Sequence, residues 1–161
     1  MRPKTILFCG IPNSLKTTIC QWLKTTTYFQ NWIHIDSNDV RKTINKDLGF
    51  SDKDRMKNLI NVAYICNIIN KEGFNILLSF VAPKESYRQK MKNIISKYAD
   101  FYIVYLDCSL EIAIQRDILK KVYYKSLNFE FEKPKEALIL NTDYPNFYFY
   151  YSQIIKYIEK K

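Results

Sequence analysis

"TILFCGIPNSLKTT", residues 5–18, decides the fold. The run from Thr5 to Cys9 is largely apolar and has the length and side-chain content of a buried strand. Gly10 follows at once, then four residues, then Leu15, Lys16 and Thr17 at the head of a segment with helical spacing. Strand, glycine, four residues, lysine and threonine is the layout of a phosphate-binding loop, G-x-x-x-x-G-K-[ST], with Leu15 where that pattern has its second glycine. In such a loop the backbone N–H groups between Gly10 and Lys16 point inward around phosphates, and the helix beginning near Lys16 adds its positive dipole end. Lys16 would reach the β- and γ-phosphates and Thr17 would offer its hydroxyl to Mg²⁺. Gly10, Asn13, Ser14, Lys16, Thr17 and Thr18 are therefore the expected ATP-binding residues of this segment. A side chain at position 15 carries an expected conformational cost of about 1–2 kcal/mol, worth about tenfold in affinity, which weakens such a site without abolishing it.

Outward from the loop, further strand-like runs occur at 32–35 (WIHI), 74–80 (FNILLSF) and 101–106 (FYIVYL), separated by longer segments with helical spacing. Alternating strand and helix argues for an α/β fold with a parallel sheet covered on both faces. The clearest helix runs from about Asp52 to Lys71. Ser51 caps it, Asp52 and Asp54 favour its first turn, Met56, Leu59, Ile60, Ala63 and Ile69 follow helical spacing, and Gly73 stops it. Pro83 and Pro134 read as turn or helix-start positions. Lys121 to Lys135 is charged and aromatic without a clean period and reads as a mobile loop. The last 20 residues read as a closing helix whose tyrosines pack against the sheet.

With 161 residues, 47% of them hydrophobic and 25% charged, the chain fits one domain, residues 1–161, with a real core. It has no apolar stretch of the roughly 20 residues that a membrane helix needs and no signal-peptide pattern, so a cytoplasmic address is the expectation. Four widely spaced cysteines and a single histidine, His34, fit neither a zinc site nor a disulfide framework; buried reduced thiols are expected. The net charge is +9, but the lysines are scattered with no dense arm. That distribution fits a solvated surface or a site for a polyanionic small molecule better than a nucleic-acid stripe. Only five arginines are present. Where a chain uses lysine by default, an arginine is often there for bidentate geometry, the alternative being a structural ion pair.

A second constellation, "IHIDSNDVR", residues 33–41, ends the second strand. Asp36 and Asp39 fall where a strand's carboxyl end meets the next helix, the place where open α/β sheets bind ligands. Either could accept the proton of an attacking hydroxyl or support a metal, and Asp36, Ser37 or Asn38 could equally cap the helix.

These residues carry a resemblance. "DSNDVRKTINKDLGFSDKDRMKN", Asp36 to Asn58, resembles the adenylyl-sulfate kinase segment that reads approximately D-G-D-N-V-R, N-K-D-L-G-F-S and D-R with a following Asn. "SFVAPKESYR", Ser79 to Arg88, is similar to the family's S-F-I-S-P block, and "VYLDCSLEIAIQRD", Val104 to Asp117, to its V-x-V-D-x-x-L-E-x-x-x-x-R-D block. The resemblance implies a P-loop kinase fold: three layers, α/β/α, around a parallel sheet of about five strands, with a short lid at about 117–135. It implies transfer of the γ-phosphoryl of ATP to the ribose 3′-hydroxyl of a nucleotide, with Mg²⁺ as cofactor. By position, Lys16, Asp36 and Asp39 would be catalytic. Arg116, Asn141 and Thr142 would join the loop around ATP. Arg41, Arg55 and Asn58 would hold the acceptor's diphosphate-like anion, Phe50 would stack on its base, and Asn45, Ser79, Phe80, Val81, Lys120 and Lys121 would complete the acceptor site.

The departures matter as well. Asn38 stands where the family has its second acid, with Asp39 one place on. The family's F-T-G-I-D block after the lid is absent, and beyond the lid only "FEKP" and "LILNT" remain similar to the family. Adenylyl sulfate is the acceptor the resemblance implies. Cytidine diphosphoramidate, whose phosphorylation at the same hydroxyl would keep the catalytic blocks while altering the lid, is the alternative, and a nucleotide-binding module with impaired catalysis is the reading of another class. A homodimer is left open by the sequence.

Overall fold

The computed structural model describes residues 1–118 and 130–160. The chain runs β1 (Lys4–Cys9), α1 (Lys16–Leu23), β2 (Ile33–Asp36), α2 (Ser37–Lys42), α3 (Asp52–Lys71), β3 (Ile76–Ser79), α4 (Glu85–Ile95), β4 (Asp100–Asp107), α5 (Leu110–Gln115), β5 (Leu138–Asn141) and α6 (Phe147–Glu159). Five strands form one sheet in the order β2-β3-β1-β4-β5, and every pairing is parallel. β1 is therefore central, and the loop after it opens at the carboxyl edge of the sheet, flanked by the ends of β3 and β4.

Strand periodicity divides the core in two. Leu7 and Cys9 of β1 join Leu78, Ile103 and Tyr105 under α3 and α4. Ile6 and Phe8 face the other way, joining Leu77, Val104 and Leu106 under α1 and α6. Each such aliphatic side chain, withdrawn fully from water, contributes about 1.5–3 kcal/mol. This is the three-layer α/β/α arrangement expected from the alternating elements. All four cysteines are buried and unbridged. Burial pushes the Cys9 and Cys66 thiols up to about 12, so both are inert at neutral pH. Among the described residues no helix is long and apolar enough to cross a membrane.

The longest helix follows its sequence signals closely: α3 spans Asp52–Lys71, Ser51 Oγ accepts from the Asp54 N–H, and Gly73 ends the segment with φ 87°. The closing helix departs from expectation. It starts only at Phe147, capped by Asn146, which leaves Tyr144 before it 88% exposed, and its own tyrosines divide: Tyr150 is 3% exposed against the sheet, whereas Tyr148 is 80% exposed.

The segment read as a mobile loop, 121–135, lies outside the described residues up to 129, and its described end is fastened down. The reason is Arg88, which is 0% exposed on α4 and cannot be left without acceptors. It pairs with Glu85 at 2.7 Å and donates to Ala82 O and to Glu132 O, both at 2.7 Å. Glu132 in turn donates its N–H to Pro83 O and accepts the Glu85 N–H on its side chain. Phe131 stacks on Tyr105 at 5.3 Å. Arg88 is thus a structural ion pair, the second of the two roles open to it on sequence. Removing one member of a buried pair strands the other, so Arg88→Leu should lower the free energy of unfolding by about 3–5 kcal/mol in urea titration. A loss below about 1 kcal/mol would mean that water satisfies Glu85 and the two carbonyls.

Candidate nucleotide site

The chain between β1 and α1 is tight from its first residue. A Cβ on Gly10 would stand 2.7 Å from Leu106 O and 2.7 Å from Ser14 Oγ, so only glycine fits between the loop and β4. Gly10 also donates its N–H to Val81 O on the β3 side. The Lys16 ammonium turns back into the loop, donating to Ile11 O at 2.7 Å, Gly10 O at 3.0 Å and Ser14 Oγ at 3.3 Å. Burial pushes its pKa down to about 8, with the Asp36 carboxylate among the groups that partly offset the loss of water.

Asn13 and Leu15 take left-handed backbone, with φ 61° and 71°. Asparagine tolerates that region; leucine does not do so readily. Leu15 is also the N-cap of α1 and gives no side-chain cap, and the first turn holds no acid. The N–H groups at this helix start are therefore left without a side-chain acceptor, as an anion site requires.

Asp36 is the hub beside the loop. At the end of β2 it caps α2, accepting the Asn38 N–H on Oδ1 at 2.8 Å. Its Oδ2 accepts from Thr17 Oγ1 and from Ser79 Oγ, both at 2.6 Å. Burial raises the Asp36 pKa, but the hydrogen bonds from Ser79, Thr17 and the Asn38 amide outweigh it, and the carboxyl lies below the usual carboxylate range. It is an anion at neutral pH, suited to hold donors and a cation and poorly suited to strip a proton from an alcohol.

A cavity of about 620 Å³ runs along this edge. Lys16, Thr17 and Thr18 line it together with Asp36, Ser37, Asn38, Arg41, Phe50, Ser79 and Val81. Arg116, with Nη1 on Asn13 O at 3.4 Å and Nη2 on Asp143 O at 3.3 Å, ties the loop to the chain after β5 and also faces the cavity. A hollow of about 40 Å³ shares Ser37, Arg41, Phe50 and Val81 with it and adds Arg55, Asn58 and Phe80. The Arg41 and Arg55 guanidinium carbons stand 4.4 Å and 5.4 Å from the centre of the Phe50 ring, so one aromatic face region gathers two cations.

Most residues singled out in the sequence thus meet around one space, and a few do not. Asp39 is exposed in the first turn of α2, away from the cavity lining. Asn45 is buried in an amide network, donating to Asn58 Oδ1 and accepting from Asn61 Nδ2, each at 2.8 Å; it fastens the chain after α2 to α3. Asn141 and Thr142 close β5, and Thr142 reaches the site only through its carbonyl, which accepts from Arg116. Lys120 and Lys121 lie outside the described residues. Sequence reading missed Pro12, Ser37, Asn38 and Ile118 in the cavity wall, and it missed His34, whose Nε2 lies 2.8 Å from Ser79 Oγ. A period of two places His34 beside Asp36 on β2, a signal that was available.

A central parallel strand leading through a lysine-closed loop into a helix, with a second cation-lined pocket alongside, defines a P-loop fold of the kinase type. Residues 2–134 match the sequence profile of the adenylylsulphate kinase family, and the chain belongs to that family. It is 33% identical over 127 residues to the adenylyl-sulfate kinase of Clostridium kluyveri, covering 78% of this chain and 62% of that protein. It is 33% identical over 125 residues to that of Pseudomonas entomophila, covering 72% and 56%. The chain therefore spans about three fifths of the length of these curated relatives. In fold it is similar to the Mycobacterium tuberculosis APS kinase CysC, solved in complex with AMPPNP and APS, with a TM-score of 0.87, 22% identity and 99% of each chain covered.

Two outcomes are expected of the loop. Below pH 8 the Lys16 ammonium is charged with or without nucleotide; above it, binding must restore a proton. Calorimetric affinity for Mg-ATP should be flat up to about pH 8 and then fall by up to about tenfold per pH unit, a slope that Lys16→Ala abolishes along with most of the affinity. Leu15 takes the left-handed conformation and packs its side chain on the apolar cluster under α1 and α6, so packing within the fold offsets its strain. Leu15→Gly should accordingly change ATP affinity by less than about threefold, and a gain near tenfold would return the strain to the binding step.

Proposed function

We propose that the chain is an adenylyl-sulfate kinase, moving the γ-phosphoryl of ATP to the ribose 3′-hydroxyl of adenylyl sulfate. The observation that carries this reading is that the phosphate loop and the Arg41–Phe50–Arg55 cluster open on one cavity, with Asp36 in the wall between them. Family membership and the names of the relatives support the choice of acceptor.

In this reading Lys16 and the N–H groups at the start of α1 orient the β- and γ-phosphates, and Arg116 closes over them from α5. Arg41 and Arg55 hold the acceptor's phosphosulfate anion, with Phe50 against its base. The hydroxyl of Thr17 and the carboxylate of Asp36 are hard oxygen donors side by side in the cavity wall, a set that fits Mg²⁺. Bound there, Mg²⁺ supplies charge neutralisation across the phosphates. The 3′-oxygen forms its bond to phosphorus as the bond to the ADP oxygen breaks, and the hydroxyl proton leaves late and passes to water, so a strongly basic acceptor is not required. Positioning and charge carry the step, which agrees with an Asp36 held below the ordinary carboxylate range.

Incubation with Mg-ATP and adenylyl sulfate should yield ADP and 3′-phosphoadenylyl sulfate. Arg41→Ala should raise the KM for adenylyl sulfate by about tenfold or more while moving the KM for ATP by less than about twofold. Turnover confined to cytidine diphosphoramidate would overturn the acceptor assignment, and ATP binding without turnover on either nucleotide would overturn the enzymatic one.

A further inference from the structure

His34 has no part in the chemistry above, yet it is joined to it. It lies two residues before Asp36 on the same face of β2, and its Nε2 is 2.8 Å from Ser79 Oγ, which is itself 2.6 Å from Asp36 Oδ2. Counting donors orders this chain. The Asp36 carboxylate can only accept, so Ser79 must spend its one proton on Asp36; the Ser79 oxygen is then left to accept, and His34 must be the donor through Nε2–H. Thr17 is the other hydroxyl on Asp36 Oδ2, and it sits on the helix of the phosphate loop. Ser79 sits on β3, between β2 and the central β1, and His34 on the neighbouring edge strand β2. The Thr17 bond therefore answers to the nucleotide, whereas the His34–Ser79 limb belongs to the rigid scaffold.

We propose that His34 is a positioning residue: its Nε2–H fixes the Ser79 hydroxyl rotor, which in turn holds the Asp36 carboxylate at one orientation in the wall between the two nucleotide pockets. Without that donor, the Ser79 hydroxyl is free to turn toward other acceptors and Asp36 loses its scaffold support.

The catalytic half of this inference rests on the kinase reading; the hydrogen-bond order does not. Because the chain has one histidine, the imidazole nitrogens of an untagged, ¹⁵N-labelled sample give a single, unambiguous pattern. At pH 8 that pattern should be the Nε2–H tautomer, and Ser79→Ala should shift the Nε2 signal. A bare Nε2 with the proton on Nδ1 would overturn the proposed order. In steady-state assays His34→Leu should lower kcat by about fivefold, the worth of one net hydrogen bond, with KM for either nucleotide within about twofold. His34→Gln, which keeps a side-chain N–H, should recover most of the loss. In a Ser79→Ala background His34→Leu should cost nothing further. An equal loss there, or no recovery with glutamine, would show that His34 acts only through packing. A wild-type chain without turnover on either nucleotide would overturn the kinase reading and the catalytic half together, leaving the spectrum to decide the hydrogen-bond order.

Discussion

One buried ammonium holds the phosphate loop in shape. Lys16 folds back on the carbonyls of Gly10 and Ile11, and the rest of the site depends on where that closure happens. Gly10 is wedged between Leu106 O from β4 and Val81 O from the β3 side, so the loop is braced by both neighbours of the central strand. The strand order therefore builds the site as much as the loop sequence does: with β1 at an edge, Gly10 would have a partner on one side only. The arrangement also prepares the lysine for an anion. An ammonium hydrogen-bonded to carbonyls in a desolvated loop is already destabilised relative to water, and an anion placed beside it would add charge that the carbonyls cannot supply.

Asp36 extends this order sideways. Its oxygens are shared by the loop helix through Thr17, by β3 through Ser79 and by the start of α2 through the Asn38 amide. Three elements that meet nowhere else in this way are thus referenced to one carboxylate. Arg41, on the helix that Asp36 caps, inherits its position, and Phe50 gathers Arg41 and Arg55 against the repulsion of two like charges. A net charge of +9, which could have suggested nucleic acid, is concentrated functionally at a few arginines while the lysines stay dispersed.

Much of this was legible in residue order. The strand–loop–helix at 5–18 anticipated a buried strand leading into the loop, the alternation of elements anticipated a parallel sheet covered on both faces, and the signals at Ser51 and Gly73 marked both ends of α3. What was not legible depends on partners distant in sequence. Arg88 looked like any other scarce arginine until the fold laid Glu132 against it, and Asn45 looked like a site residue until Asn58 and Asn61 closed around it. The closing helix shows the limit of composition: aromatic density predicted packing, but helical geometry turned Tyr150 inward and left Tyr148 outward. Asp36 and Asp39 were equivalent by position, and only the cavity separated them.

Leu15 shows how the same physical cost changes meaning once it is located. In the pattern, the second glycine serves two purposes: it allows left-handed backbone, and it leaves room beside the phosphates. This chain meets the first with a leucine, at φ 71° and ψ 19°, and the side chain packs against the apolar cluster under α1 and α6. A residue with Cβ in that region costs about 1–2 kcal/mol, and burial of part of a leucine returns an amount of the same order. Strain and packing thus offset each other within the folded chain. The departure from the pattern is a matter of loop stability, and it leaves the Lys16 ammonium in the loop and the amides at the start of α1 without a side-chain cap.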